Sequence, residues 1–590
     1  MSKFLTATLL LAFVALSFAG KITEQKARVI TGDENIDVKP YTGPIYQLPQ
    51  LNKVAAEAGD TLGVTVYDYS TNSVTGRQLV NSANGVHITY MNRQDPSGAR
   101  FVTYDFFDFS QEPFGFFGNQ SVTEERSTGW GNVANGPNDE VLGVMHGGGE
   151  AFWKDDGEAF YSFTEGLIPG MGGVFPRIDA SGNSVVVTGQ ADDGTYVTTI
   201  SEDLGANWGA NNAYPQNADT AVSLGNAENV VMYASNGDLV SVYMGAGGTQ
   251  EGMWLARSSD NGASWTNTLL YADATILGDN SFHWPENFGQ VNFVLDNNDN
   301  VHLVFNGYGG VVDAADPDSI THLIFPVVYW NEADGQLIDL TSENVGRNPD
   351  LSDAISAGFP GNGIGSAYPN IAVSADGMKL AAIWQQPEVE GNALVGAYDA
   401  TGDSVSGLYA TDIYGATSGD GGANWSEPFH VAGMPSYSDV HPQMSQNIIE
   451  DGGNYYIDIA YLVDYSPGVS LFGEGTAPLI PWVYQRVQVD IATSIEDDLQ
   501  AATSFELFQN YPNPFNPSTQ IAFNLKKAAT VNVEVFNALG QKVATLIDGK
   551  KMSAGPQTVE FNAENLASGV YFYKLNADGF EATKKMLLVK

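Results

Sequence analysis

Cysteine is absent from all 590 residues, which excludes disulfides, thiolate metal sites and cysteine nucleophiles, and also a lipid carried on a cysteine behind a cleaved leader. Basic residues are scarce. The chain has 25 Lys and Arg against 69 Asp and Glu, a formal net charge of -44, although only 16% of its residues are charged. No basic stripe is available to neutralise phosphates, which argues against nucleic acid as a partner, whereas self-repulsion of this size suits an exposed, soluble protein. Beyond the N-terminus no apolar run approaches the roughly 20 residues of a bilayer span, so no membrane span is expected. Hydrophobic residues at 43% and aromatics at 11% are ample for a packed core. The length exceeds what one compact core organises, which predicts several domains or one large repeat assembly.

The first twenty residues read MSKFLTATLLLAFVALSFAG: one Lys, an apolar stretch from Leu9 to Phe18, then the small-residue pattern Ser17-Phe18-Ala19. This is the layout of a secretory signal peptide, expected over residues 1–19, with a lead-in segment over 20–60.

Composition changes again near the other end. From Leu499 onward there are nine Lys and no Arg against seven acidic residues, leaving 16 basic and 62 acidic residues before that point. Pro512, Pro514 and Pro517 exclude helix and force an extended lead-in. Ile521, Phe523 and Leu525 alternate with polar residues, as do Val531, Val533 and Val535; Ala538-Leu539-Gly540-Gln541 supplies a turn, and Val570–Leu575 and Met586–Val589 are further strands. The pattern predicts a small all-β, immunoglobulin-like sandwich over 504–590, joined to the body by a linker over 491–503.

The runs Gln509-Asn510-Tyr511-Pro512-Asn513-Pro514-Phe515-Asn516-Pro517, Asn537–Gln541, Ala567–Tyr571 and Thr583–Met586 closely resemble the type A sorting domain of type IX secretion. That resemblance implies export across the outer membrane, the secretion machinery as a partner, and a mature protein either released or attached to surface lipopolysaccharide.

Between the two ends a unit recurs: strand, Asp/Asn/Gly turn, apolar strand. Its copies begin at Leu79, Gly131, Pro176, Val230, Val291, Pro369 and Pro442, as in PRIDASGNSVVVTG and PNIAVSADGMKLAAIW. The spacing suits four-stranded sheets, and the fold class expected is all-β: a six- or seven-bladed β-propeller, seven favoured, over residues 61–490. Val64–Tyr69 reads as a strand standing before the first copy, placed to complete the last blade and remove both open edges.

Three of these units contain Ser-x-Asp-x-Gly-x-x-Trp: Ser201, Asp203, Gly205, Trp208; Ser258, Asp260, Gly262, Trp265; and Ser418, Asp420, Gly422, Trp425. Hydroxyl and carboxylate can bind turn amides, Gly accepts positive φ, and Trp folds back over the blade. The pattern resembles the Asp-box of sialidase-type propellers, in which the box is a structural turn away from the active centre, and the three Asp are expected to be structural.

Candidates for catalysis are sparse. The sialidase resemblance implies an arginine triad; Arg93, Arg177 and Arg347 could supply one, while Arg257 and Arg486 are expected on outer strands. Phe175-Pro176-Arg177-Ile178-Asp179 departs from the family's Arg-Ile-Pro pattern. Asp296–Asn300 opens like a calcium loop but has Val301 at position six and Gly307 at position twelve, so it reads as a hairpin tip. His146-Gly147-Gly148-Gly149-Glu150 is a weak zinc pattern. No cofactor or metal is expected. The body reads as a binding or adhesion module for a carbohydrate or protein ligand, with an extracellular glycoside hydrolase or lyase as the alternative.

The export assignment has a direct test. Deleting Leu507–Lys590 should strand the protein in the periplasm, because the leader still carries it across the inner membrane; truncated protein at normal levels on the cell surface, by fractionation and surface labelling, would contradict it.

Overall fold

The computed structural model describes residues 60–491 and 506–588 apart from short interruptions, the longest at 215–228, 342–364 and 465–478. The expected signal peptide, nearly all of the lead-in and linker, Arg347, the motif 509–516 and the turn residues 538–540 lie outside the described residues. Contacts divide the chain into two units, the first ending at Ile491 and the second beginning at Ala492.

The first unit is a β-propeller. Six of its sheets share one plan, four antiparallel strands in sequence order, with the first strands at Leu79–Asn81, Gly129–Asn135, Arg177–Ser181, Asn229–Tyr233, Val291–Leu295 and Ala367–Val373; a seventh, of five strands, has its first strand at Ser438–Met444 and takes its outer strand from ahead of the first sheet. These sheets are called blades 1 to 7 below. Each first strand contacts the first strand of the next blade, and that of blade 7 contacts that of blade 1, so the circuit closes. Second strands such as Val141–His146 and Leu380–Pro387 are buried along their whole length, because each blade is covered on both faces by its neighbours. That is why they read as continuous apolar runs instead of alternating ones. The core is correspondingly divided among blade junctions: Val230, Val242, Leu255, Phe293, Leu303 and Trp330 fill the junction of blades 4 and 5, for example.

Closure is made by Asp60–Thr65, which pairs antiparallel with Ile480–Val489 as the outer strand of blade 7. Leu62 joins Leu79, Ile88, Leu462, Trp482 and Tyr484 in the junction of blades 7 and 1. The closing strand therefore ends earlier than the Val64–Tyr69 expected from sequence. At Thr65 the chain turns inward: its hydroxyl accepts the N–H groups of Tyr67 and Arg93, each at 3.0 Å, and Val66 N–H bonds Arg93 O. Arg486 and Arg257 are corrected too, since both lie on third strands with another strand outside them.

Antiparallel order sorts the connections onto two ends. First strands begin, second strands end and third strands begin at one end, called the entry end here; turns between first and second strands and between third and fourth strands lie at the other, the turn end. The insertions all belong to the entry end: an extra sheet from Thr275–Leu277, Ser281–His283, Gly309–Asp313 and Asp316–Ile324, and two hairpins within 389–409 in blade 6.

The second unit is a sandwich of a three-stranded sheet (Glu506–Leu507, Ser518–Leu525, Gly555–Asn562) and a four-stranded one (Lys542–Met552, Ala529–Asn537, Gly569–Ala577, Phe580–Leu588). Ile521, Phe523, Leu525, Val531, Val533 and Val535, the alternating residues noted in the sequence, form its core with Tyr573, Leu575, Met586 and Leu588.

Candidate functional site

At the turn end, the three Ser-x-Asp turns connect third to fourth strands of blades 3, 4 and 6 and share one set of bonds. Ser201 Oγ donates to Asp203 Oδ1 at 2.9 Å and accepts Gly205 N–H at 2.8 Å; Asp203 in turn accepts Asn207 N–H at 2.8 Å and its side-chain amide at 2.7 Å. Ser258 and Asp260 repeat this with Gly262 and Ser264, and Ser418 and Asp420 with Gly422 and Asn424. The bond from Asn207 holds Asp203 below the usual carboxylate range, as Ser264 does for Asp260. Partial burial pushes Asp420 the other way, yet the bonds from Asn424 and Ser418 still leave it low. Gly422 has φ 90°, and a Cβ there would collide with the Tyr329 ring of blade 5. Each Trp reaches past its own blade: Trp208 meets Phe152 of blade 2 at 5.5 Å and Trp425 meets Tyr329 at 4.8 Å, while Trp265 meets Tyr214 of the preceding connection at 6.1 Å.

The entry end is built differently. Trp130, Phe175, Tyr368 and His441, each at the start of a first strand, have φ of 49°, 62°, 53° and 55°. Bulky residues rarely adopt this conformation, and three of these precede a proline, so each position stores strain of about 1–3 kcal/mol. The preceding blade supplies the restraint in three cases. Phe175 N–H donates to His146 Nδ1 at 3.1 Å, His441 N–H to Gln385 Oε1 at 3.1 Å, and Tyr368 N–H to Gln290 Oε1. Two residues beyond each aromatic comes Asn132, Arg177, Asn370 or Gln443, a buried polar side chain; neither amide atom of Gln443 has a protein partner.

In blades 1 to 3 the Arg100 guanidinium stacks 4.4 Å over Trp130, donates to Tyr67 Oη at 3.2 Å and to Thr128 O at 2.8 Å, and lies 3.3 Å from His146 Nε2. Glu150 accepts Gln190 N–H at 2.9 Å and is raised well above the carboxylate range by burial, only partly offset by that bond and by Arg177. Burial likewise lowers His441 to about 3, so it stays neutral. Arg77, ahead of blade 1, reaches Asp179 of blade 3 at 2.6 Å, and Asp179 also accepts Tyr233 N–H of blade 4 at 2.7 Å, a strap across three neighbours.

Several sequence candidates separate. The bonds of Arg93 go to Gly98 O and Thr65, those of Arg177 to the carbonyls of Phe175 and Pro176. Asp296 accepts Asn298 and Asn300 N–H as a hairpin tip does. Among the described residues, no three His, Asp or Glu side chains stand together as a cation site.

Residues 509–590 match the family model described as the secretion system C-terminal sorting domain. The second unit is that sorting domain. It directs the chain out to the cell surface or beyond and engages the secretion machinery, and among the described residues no helix is long and apolar enough to cross a membrane. Among solved structures the chain is similar to the polysaccharide lyase Uly1 (12% identity, 72% of this chain and 92% of that one, TM-score 0.39). It is also similar to an ulvan lyase bound to -[GlcA(1-4)Rha3S]- (10%, 75% and 98%, 0.38) and to a Trypanosoma rangeli sialidase in complex with the inhibitor DANA (9%, 90% and 88%, 0.31). Comparison with curated proteins finds no match.

One entry-end group lies nearer the solvent and was not singled out from sequence. In blade 6, Asp412 Oδ2 lies 3.1 Å from His430 Nε2, whose side chain is 47% exposed, and the His430 ring meets half-buried Tyr414 edge-on at 5.6 Å. Glu388, the residue before the hairpin insertion, bonds Asp412 just after it. Burial, then that bond and the charge of Asp412, push Glu388 up to about 8.

The sign of the resulting pH dependence follows from proton binding. Between the ordinary carboxyl range and about 8 the folded protein holds a proton that the unfolded chain releases, so stability falls as pH rises through this window. Glu388→Gln should flatten that slope and raise the melting temperature at about pH 9 relative to wild type, with little change at about pH 4. Parallel melting curves across this range would refute the shared proton.

Proposed function

We propose that the exported propeller is a carbohydrate-binding module whose contact surface is the entry end of blade 6. One observation carries the reading: exposed His430, half-buried Tyr414 and Glu388, and the buried Asp412 that His430 contacts bring an aromatic ring, an imidazole and carboxyl oxygens together, the combination that recognises a sugar's apolar face and its hydroxyls. The insertions gathered at the same end and the strained aromatics beneath support it, since binding residues concentrate on loops held by a rigid scaffold and backbone strain clusters at such sites. The expected consequence is measurable on the secreted protein. Screening an oligosaccharide array, then titrating the hits calorimetrically, should give affinities that weaken about tenfold in Tyr414→Ala and His430→Ala at unchanged melting temperature; unchanged affinities would reject the site.

The alternative, an extracellular glycoside hydrolase or lyase, has a specific observation in its favour, because a carboxyl group kept protonated near neutral pH is what a general acid needs. Glu388 would be that acid. Release of reducing ends or unsaturated products from the bound glycan, abolished in Glu388→Gln, would select this reading over simple binding.

The Ser-x-Asp turns we infer to be fastenings. Their carboxylates are taken up by turn amides and their tryptophans brace the preceding blade or its outer connection, so Asp203→Ala, Asp260→Ala and Asp420→Ala should each lower the melting temperature by a few degrees while leaving ligand affinity intact in the folded fraction. Three unchanged melting temperatures would contradict this role.

A further inference from the structure

Blades 3 and 4 are the only neighbours among the three blades with a Ser-x-Asp turn, and between their turns opens a cleft of about 390 Å³. Glu202, Asp203, Asn207, Trp208, Asn212 and Asp260 line it. The cleft is fixed on both sides: the Trp208 ring is held edge-on by Phe152, and Asn212 Nδ2 donates to Asn261 O of the neighbouring turn at 3.4 Å. Trp265 and Trp425, at the same position of the other two turns, bury their indole N–H, whereas Trp208 presents its ring to this opening.

The lining selects a ligand class. An indole ring offers a flat apolar face; Asn207 and Asn212 offer amide donors and acceptors; Glu202 offers acceptors for hydroxyl or ammonium hydrogens, the two turn carboxylates adding only their charge. No Lys, Arg or His lines the cleft, so a carboxylated or sulfated sugar would meet only like charge. The volume falls within the range of small-ligand sites.

We propose that this cleft is a carbohydrate subsite separate from the entry end, taking an uncharged or amino-bearing hexosyl unit stacked on Trp208. It sits on the opposite end of the propeller from Tyr414 and His430, so the two sites succeed or fail independently. Where the entry end would hold a chain through one set of contacts, the turn end would hold a second sugar, and one propeller could bridge two glycan strands.

The test titrates the full-length secreted protein with cellohexaose, with a chitosan hexamer and with an oligogalacturonate hexamer by calorimetry. Saturable binding of at least one of the first two, and none of the third, is expected; the two arms separate hydroxyl from ammonium recognition. Trp208→Ala should weaken that binding about tenfold and Asn212→Ala severalfold, while Asp420→Ala leaves it unchanged. Asn212 is in the short outer strand of its blade, so its variant keeps the test open should Trp208→Ala fail to fold. Absence of saturable binding, equal binding of the oligogalacturonate, or wild-type affinity in Asn212→Ala and in any folded Trp208→Ala would overturn the proposal.

Discussion

The pairing of Asp60–Thr65 with Ile480–Val489 is the contact on which the rest of the propeller depends. It joins strands from opposite ends of a long chain, a costly loop to close, and its return is that no blade keeps an open face. Once blade 7 packs on blade 1 through Leu62, Trp482 and Leu79, every junction has two walls. The second strands can then be apolar on both sides, and a chain without cysteine can stand outside the cell on packing alone. Arg77, ahead of blade 1, bonded to Asp179 of blade 3, and Gln446, just after the first strand of blade 7, reaching Phe293 O of blade 5, each span an intervening blade.

Closure also makes the two ends chemically unlike. At the turn end the short Ser-x-Asp connections satisfy their own backbone amides and brace the blade before them. At the entry end the chain enters three of the first strands through a bulge: register shifts fall at Gly129/Asn132, Ala367/Asn370 and Val440/Gln443, at the residues with positive φ. A bulge re-aims the side chains that follow it, which is how Asn132, Asn370 and Gln443 arrive at equivalent places around the channel. Side chains of the preceding blade, Gln290 and Gln385, hold the bulges at Tyr368 and His441, and His146 holds Phe175 in the same way, so the entry end is tied across junctions through its backbone.

Much of this architecture was legible because repetition multiplies weak signals. The seven starts of the strand–turn–strand unit coincide with the seven first strands, and the prolines opening three copies, Pro176, Pro369 and Pro442, each follow a residue of positive φ. What the repeats did not reveal was the residue before each proline: Phe175, Tyr368 and His441 look like ordinary core aromatics, and their conformation depends on an acceptor from another blade. The closing strand was placed four residues late because alternation continues through Tyr69, whereas the turn at Thr65 is imposed by Arg93, distant in sequence. The Glu388–Asp412–His430 group was invisible for a similar reason. An insertion separates the two carboxyls along the chain, and only the pairing of Gln386 with Asp412 across the second and third strands brings them together.

The uneven charge of the chain follows from the same division of labour. The sorting domain, with nine Lys against seven acidic residues, has a packed two-sheet core of its own and contributes little net charge, while the propeller carries the excess of acid. In a closed ring that excess need not strain the interior, because the buried acids have local remedies: Asp458 is gripped by Arg486 at two 2.8 Å contacts, Asp179 by Arg77, and Glu388 is pushed up to about 8 by burial and by Asp412. The first two remedies are arginine pairings, whereas in blade 6 the partner of Asp412 is the imidazole of His430, a side chain that reaches solvent, and Glu388 beside it has no arginine or lysine among the causes of its shift. The closed ring thus leaves one carboxyl pair at the entry end whose charge is balanced by protons and an exposed imidazole and not by a buried arginine.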